Sequence, residues 1–401
     1  MLGAEVRNIA IFCDGTWQTL SQEYATNVVK LMRAVRPRTP EGVDQLVYYD
    51  NGVGVGEGVF NRGTKLLGGA FGQGLDHKIV EAYQFLCMNY EPGDRIFIFG
   101  FSRGAYTARS LAGLLRRVWV LKRENVQKIG AAMALYRGAP REDAPTAEKA
   151  KAAEEQRAFN ATFGHPVGAV TGVRAHDREG LLAPDAQDSA SIQYVGVWDT
   201  VGSMGIPSKL PFAPDFNKKH RFHSTDLSRF VRSARHAVAI DEQRETFTPA
   251  LWTNIDNLND NAGAGTAPYD QRPYQQHWFP GVHGSVGGGS GDHGLSAAAL
   301  LWVAAGAARA GLALEQMRID EAVAICDPLA AFDKPRKDLG GMIMAAIGKT
   351  PRQPPDHLDA ISLSACRRWH GLANYRPETL RARAQDLKEW VAPPAASFYM
   401  G

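Results

Sequence analysis

Ser102 lies in Gly100-Phe101-Ser102-Arg103-Gly104, a G-x-S-x-G pattern. Upstream, Ile96 to Phe99 is a short apolar, β-prone run behind the turn signal Glu91-Pro92-Gly93-Asp94. Downstream, Ala105, Ala108, Leu111, Ala112, Leu114 and Leu115 recur at helical spacing. A serine held between strand and helix in this way sits on a sharp turn, with glycines beside it where a side chain would clash. Its hydroxyl stands at the C-terminal edge of a sheet. The backbone N–H of Arg103, opening the helix, faces negative charge that forms beside it. These are the features of a nucleophile for acyl transfer. The competing reading is a glycine-rich turn whose serine only caps the helix.

A serine hydroxyl is a poor nucleophile at neutral pH and needs a base within hydrogen-bond reach, itself oriented by a carboxylate. Of the eleven histidines, His283 alone falls just past a predicted strand end (Gln275 to Val282) and inside a glycine-rich turn, His283 to Gly289. His293 is the second choice. His277 lies within the strand, and His236 lies in the apolar face of a predicted helix. Among acids Asp199 leads, directly after the apolar run Ser191 to Trp198, with Asp241 and Asp292 behind it. Its alternative task is to cap the Thr200 and Val201 amides. Ser102, Asp199 and His283 follow the chain order Ser, Asp, His of α/β-hydrolases. Asp14 also follows an apolar run, Asn8 to Cys13, but precedes the serine. Its expected task is to shape a loop in which the N–H of Gly15 or Thr16 supplies a second oxyanion donor.

Elements must hold these groups together. Strands are expected at Asn8–Cys13, Gln45–Tyr49, Ile96–Phe99, Ser191–Trp198 and Gln275–Val282. Helices are expected at Asn27–Val35, Leu75–Tyr90, after Ser102, across Leu227–Ile240 and at Leu295–Leu312. The alternation predicts an α/β fold: a mostly parallel sheet with helices on both faces and reacting groups at the strands' C-terminal ends. Residues 120–190 change composition, with an Ala-, Glu- and Lys-rich stretch from Glu142 to Arg157, and read as an inserted helical cap. Residues 205–222 carry Leu210, Phe212 and Phe216 among prolines without regular period and read as a second lid piece lining an acyl pocket. Both pieces are expected to overhang Ser102. The catalytic domain is thus 1–320, followed by an extension, 321–401, packed on the core. The glycine-rich stretch Gly52 to Gly58 has neither the Lys-Ser/Thr of a phosphate loop nor a helix directly after it.

A net charge of +3 over 401 residues provides no general attraction for nucleic acid or an anionic membrane. The four cysteines, Cys13, Cys87, Cys326 and Cys366, are widely spaced and read as reduced core residues. The N-terminal stretch has no signal-peptide pattern, and Leu295 to Ala308 is too short to span a bilayer. The protein is expected to be cytoplasmic where it is made, or to leave by a route that reads no signal peptide.

Five separated motifs occur in order: Asp14 to Trp17, Gly100 to Arg109, Val197 to Gly202, Arg235 to Arg244, and Trp278 to His283 with Gly287 to Gly289. Together, over about residues 8 to 310, the chain resembles the α/β-hydrolase domain family whose best-known members are the class-one lipase effectors of bacterial type VI secretion. The resemblance implies ester hydrolysis, with phospholipids as the effectors' substrate class, and assigns the nucleophile to Ser102, the acid to Asp199 and the base to His283. The chain departs from the family in having Gly284-Ser285 after the histidine, where Ser-Asp is usual, and in having only about ninety residues beyond the match where the effectors carry a long C-terminal extension. The expected function is cleavage of carboxylic esters through an acyl-enzyme, with no cofactor or metal and at most transient contact with a membrane surface. The alternative is a catalytically silent scaffold of the same fold that binds a partner or ligand.

Overall fold

Runs that are apolar throughout, without polar alternation, demand burial on both faces, and a parallel sheet covered by helices provides it. The computed structural model describes residues 6–15, 18–52, 70–140, 143–165, 191–201, 226–291, 293–332 and 350–391. Six strands, β1 (Asn8–Cys13), β2 (Gln45–Asp50), β3 (Arg95–Phe101), β4 (Ser191–Trp198), β5 (Ala234–Ala239) and β6 (Tyr274–Phe279), form one sheet in the order β2-β1-β3-β4-β5-β6. Every neighbouring pair is parallel. The order reverses between β1 and β3, where a crevice opens beyond the strands' C-terminal ends. Ser102 lies at that switch point.

Among the described residues the longer helices are α1 (Asn27–Ala34), α2 (Ala70–Asn89), α3 (Arg103–Val118), α4 (Ile129–Arg137), α5 (Thr146–Phe163), α6 (Gly294–Arg309), α7 (Gln316–Ile325) and α8 (Leu363–Gly371). Thr26 caps α1 by accepting from Val29 N. On one face of the sheet α2 and α3 bury Ile79, Tyr83, Leu111 and Leu115 against Ile9, Ile11, Ile96 and Ile98. On the other, α1 and α6 bury Val28, Leu31, Val303 and Ala307 against Phe12, Phe97, Phe99 and Tyr194. Among the described residues no helix is long and apolar enough to cross a membrane. All four cysteines are free, and burial pushes the Cys87 and Cys366 thiols up to about 12.

One expected helix is a strand. Ala234 to Ala239, read as helical, forms β5 in the interior of the sheet. Every residue from Ala234 to Ile240 is buried, so no exposed face marks a period, and the pairing overrides alanine's helical preference. His236 accordingly belongs to a strand.

The described part of the expected cap, 120–140 and 143–165, begins at the end of α3 remote from Ser102. A helix of that length carries the chain about 24 Å away. There Val120–Leu121 pairs antiparallel with Gly164–His165, and Gln156 and Asn160 donate to Arg117 O. Helix α4 runs back along α3, with the Tyr136 ring against Gly113. These pieces buttress the flank of α2 and α3. Residues 166–190, the segment 205–222 with Leu210, Phe212 and Phe216, and nearly all of the glycine-rich loop lie outside the described residues.

Residues 350–391 cover the β5–β6 side. Ala365, Cys366, Trp369, Leu380 and Leu387 pack on Val238, Ile240 and Trp278. Ser362 N donates to Trp278 O at 3.0 Å and Thr379 Oγ1 to Ile240 O at 2.9 Å.

The glycines of the G-x-S-x-G pattern permit a close crossing of α3 over β1 and β3. A Cβ on Gly104 would overlap the carbonyls of Cys13 and Asp14, and one on Gly100 would overlap that of Gly104. Gly130, exposed in α4, has open space around it. Gly104→Ala should therefore destabilise the fold by about 3 kcal/mol in urea unfolding. Gly130→Ala should be neutral or stabilising by up to about 1 kcal/mol. Equal effects at the two positions would show that the crossing is not tight.

Candidate active site

The ends of β3, β4 and β6 bring three side chains together. Ser102 has φ 58° and ψ −121°, a left-handed conformation that is strained for a residue with a side chain. Its N–H donates to Trp198 O at 3.0 Å, which ties the turn to β4. Its hydroxyl makes no cap hydrogen bond to α3. Instead Oγ lies 2.8 Å from His283 Nε2, so the capping alternative falls away.

After β6 the chain turns through Gly281 (φ 112°) into a one-turn helix, His283–Gly287. His283 Nδ1 lies 2.5 Å from Asp199 Oδ2. An ionised carboxylate only accepts, so Nδ1 carries the proton and Nε2 is left to accept from the serine hydroxyl. The imidazole is held between the rings of Phe101 and Phe247, each centroid 4.7 Å away. A side chain at Gly287 would overlap the Phe101 ring, which accounts for the first of the three glycines there.

Asp199 is wholly buried and also has positive φ, 40°. Oδ1 accepts from Ala239 N at 2.9 Å and from Arg352 Nη1 at 2.5 Å, and Oδ2 accepts from Arg352 Nη2 at 2.9 Å. Burial pushes the carboxyl up, but the Arg352 guanidinium and the His283 hydrogen bond outweigh it. The net effect holds Asp199 well below the usual carboxylate range. Nothing local in the sequence marks Arg352, although a wholly buried carboxylate requires a cation somewhere. Phe247 was equally invisible.

The runners-up have other tasks. The Thr200 amide donates to His236 Nε2 (3.2 Å), so it is not capped by Asp199. Asp241 accepts from Gly281 N at 2.7 Å and from Tyr375 Oη at 2.9 Å, bracing the turn that leads to His283. Asp292 lies outside the described residues. His293 Nδ1 is 3.3 Å from Lys30 Nζ, and His277 stacks on Trp302.

The first loop requires a correction. Asp14 Oδ1 accepts from the N–H of Gly15 at 2.7 Å, while Oδ2 accepts from Thr26 Oγ1 and Tyr49 Oη at 2.9 and 2.8 Å. The Gly15 amide is thus engaged by the neighbouring carboxylate and does not point to an oxyanion. The other expected donor of that loop, Thr16, lies outside the described residues. Arg103 opens α3, where the first amides have no partner within the helix and the dipole is positive.

The model of the type VI secretion phospholipase effector family, Tle1-like catalytic domain, matches residues 7–306. An uncharacterised protein of Saccharomyces cerevisiae, YEL023C, is 31% identical over 259 residues, which cover 62% of this chain and 33% of that protein. An uncharacterised protein from Pseudomonas aeruginosa is similar at 19% identity and a TM-score of 0.38, over 80% of this chain and 48% of that one. A Tle1 effector bound to the VgrG spike is similar at 18% identity and a TM-score of 0.34, over 72% of this chain and 52% of that one. The chain spans about a third of the length of the yeast relative and about half that of the two solved structures.

His236 gives the site a pH signature. Its Nε2 accepts from Thr200 N and its Nδ1 donates to Gln276 Oε1 at 2.9 Å, so the neutral ring is the form that fits. Burial, then the nearby charge of Arg109, holds it down to about 3. Unfolded, the ring titrates near 6.5, so between those values the unfolded chain binds the extra proton. This stabilisation is complete above about pH 6.5 and is lost as pH falls, by about 1.4 kcal/mol per unit. His236→Gln should remove about one proton's worth of slope from urea-unfolding free energies measured between pH 6 and 5. An unchanged slope would mean that His236 is charged in the folded protein.

Proposed function

Given that the chain belongs to the family of Tle1-like phospholipase effector catalytic domains, whose membership supports lipase or phospholipase activity in general, we propose that it is a serine hydrolase acting on carboxylic esters of lipids. The observation that carries this reading is the unbroken hydrogen-bonded chain from Ser102 through His283 to Asp199, with the serine on a strained turn at the sheet's switch point.

In this reading Ser102 Oγ attacks the ester carbonyl carbon as its proton passes to His283 Nε2. Asp199 keeps Nδ1–H in place and stabilises the imidazolium. The carbonyl oxygen, now negative, is held by the amides of Arg103 and Thr16. Collapse expels the alcohol, which takes the proton from Nε2 and leaves Ser102 acylated. Water, deprotonated by the same nitrogen, attacks the acyl carbon and releases the acid and the free serine. Burial of all three side chains supports this assignment, because water is excluded where charge must be exchanged. Residues 205–222 serve as the acyl-chain lining through Leu210, Phe212 and Phe216, and the protein meets its lipid at a membrane surface only transiently. Export, where it occurs, follows the family's signal-peptide-independent route.

A fluorophosphonate probe should label the intact protein, and Ser102→Ala should abolish the label. His283→Ala should lower kcat on a soluble ester about a thousandfold with folding intact. Absence of labelling in the intact protein would favour a silent scaffold. An ester panel from acetyl to long-chain acyl, run beside phospholipid vesicles, tests the lining segment. Burying one phenyl ring contributes about 2 kcal/mol, so Phe212→Ser should cut kcat/KM for long chains about tenfold or more and spare acetyl esters. Equal losses on all chain lengths would remove residues 205–222 from substrate selection.

A further inference from the structure

We infer that Arg352 is a positioning residue for Asp199, and that residues 350–391 are therefore an integral support of the reaction centre. This inference rests on the proposed triad. Arg352 lies beyond residue 306, where the family match ends, and no motif announces it.

Both terminal nitrogens of the guanidinium fork are engaged by the site, while Nε is buried without a hydrogen-bond partner. Nη1 donates to Asp199 Oδ1 and to Ala239 O (2.8 Å), and Nη2 donates to Asp199 Oδ2 and to Phe247 O (2.7 Å). It thereby joins both carboxylate oxygens, the end of β5 and the residue whose ring packs edge-on to His283. A bidentate fork fixes the plane of a carboxylate as well as its charge, which an ammonium does not.

Charge is the second part of the argument. With Arg352 removed, a carboxylate with no exposure would be left without its cation, and such a group is neutralised by taking up a proton. A protonated Asp199 is a donor. Facing His283 Nδ1, it would favour the tautomer with its proton on Nε2, which points at Ser102 and can no longer accept the hydroxyl proton. Other groups nearby do not replace the guanidinium. His236 is neutral, Arg109 lies behind it against Trp252, and Glu242 is paired with Arg244 while accepting from His283 N at 3.2 Å.

The same segment braces the base. Tyr375 Oη donates to Asp241, whose carboxylate holds Gly281 N just before His283. Thr350 N donates to Gln243 O at 2.7 Å, one residue beyond Glu242. Residues 350–391 thus touch both arms that meet at Ser102.

The test uses the full chain and a soluble ester, with Arg352→Lys, Arg352→Met and Arg352→Ala. Arg352→Lys keeps the charge and the fold but loses the fork; kcat should fall about tenfold with KM within about threefold of the parent. Arg352→Met should lose about a hundredfold or more in kcat, again with little change in KM. Millimolar methylguanidinium should restore a saturable fraction of kcat to Arg352→Ala and leave the parent unaffected. A merely structural role would instead lower activity in proportion to the unfolded fraction and give no rescue. Parental kcat in Arg352→Lys, or no rescue of folded Arg352→Ala, overturns the inference; if Arg352→Met does not fold, the lysine variant alone decides. An intact protein that neither takes up fluorophosphonate on Ser102 nor cleaves esters sinks the underlying reading instead.

Discussion

A negative charge without water must be surrounded by donors, and in this protein the surrounded charge is Asp199. Its two oxygens gather an amide from the end of β5, a guanidinium from beyond residue 350 and the imidazole that follows β6. Each partner comes from a different stretch of chain, so the carboxylate is the point at which the sheet, the C-terminal segment and the histidine turn are registered against one another. Removing the guanidinium would leave the amide and the imidazole holding an uncompensated charge, which is why buried ion pairs are more costly to break than to replace whole.

Around that charge the backbone stores strain. Ser102 and Asp199 both occupy left-handed φ, at the ends of adjacent strands. Neither turn would persist in isolation; the flanking ladders hold them, with Ser102 N on Trp198 O between β3 and β4 and Asp199 N on Ala237 O between β4 and β5. Beneath the turns lie Phe99, Trp198 and Val197, all without exposure, so the ladder cannot shift without opening the core on both faces. Strain at the two strand ends is offset by packing a few residues below.

The legible parts of the sequence were those in which local pattern and final environment agree. Asn8–Cys13 and Ser191–Trp198 are apolar, β-prone and sharply bounded, and they are strands over those same residues. Ser102 and His283 stood out because glycines flank them for steric reasons that act within a few residues. Ala234–Ala239 was misread because alanine in a fully covered strand has no period to display. The commitment of the Gly15 amide to Asp14 depends on a single loop's curvature, which residue types do not reveal. Arg352 was out of reach for another reason: it stands 153 residues from its partner, and one arginine among prolines looks like any other until the chain is folded.

The distance along the chain between Asp199 and Arg352 also has a temporal meaning. Ser102, Asp199 and His283 leave the ribosome in that order, and Arg352 follows the last of them only after a further stretch of synthesis. At rates of roughly 5 to 20 residues per second, that interval is on the order of 3 to 14 s, long compared with the collapse of an α/β sheet. A sheet that formed in that interval would hold Asp199 without its counter-ion, and the carboxyl group would have to stay wet or take up a proton. The surroundings of Asp199 are complete only once residue 352 has been made.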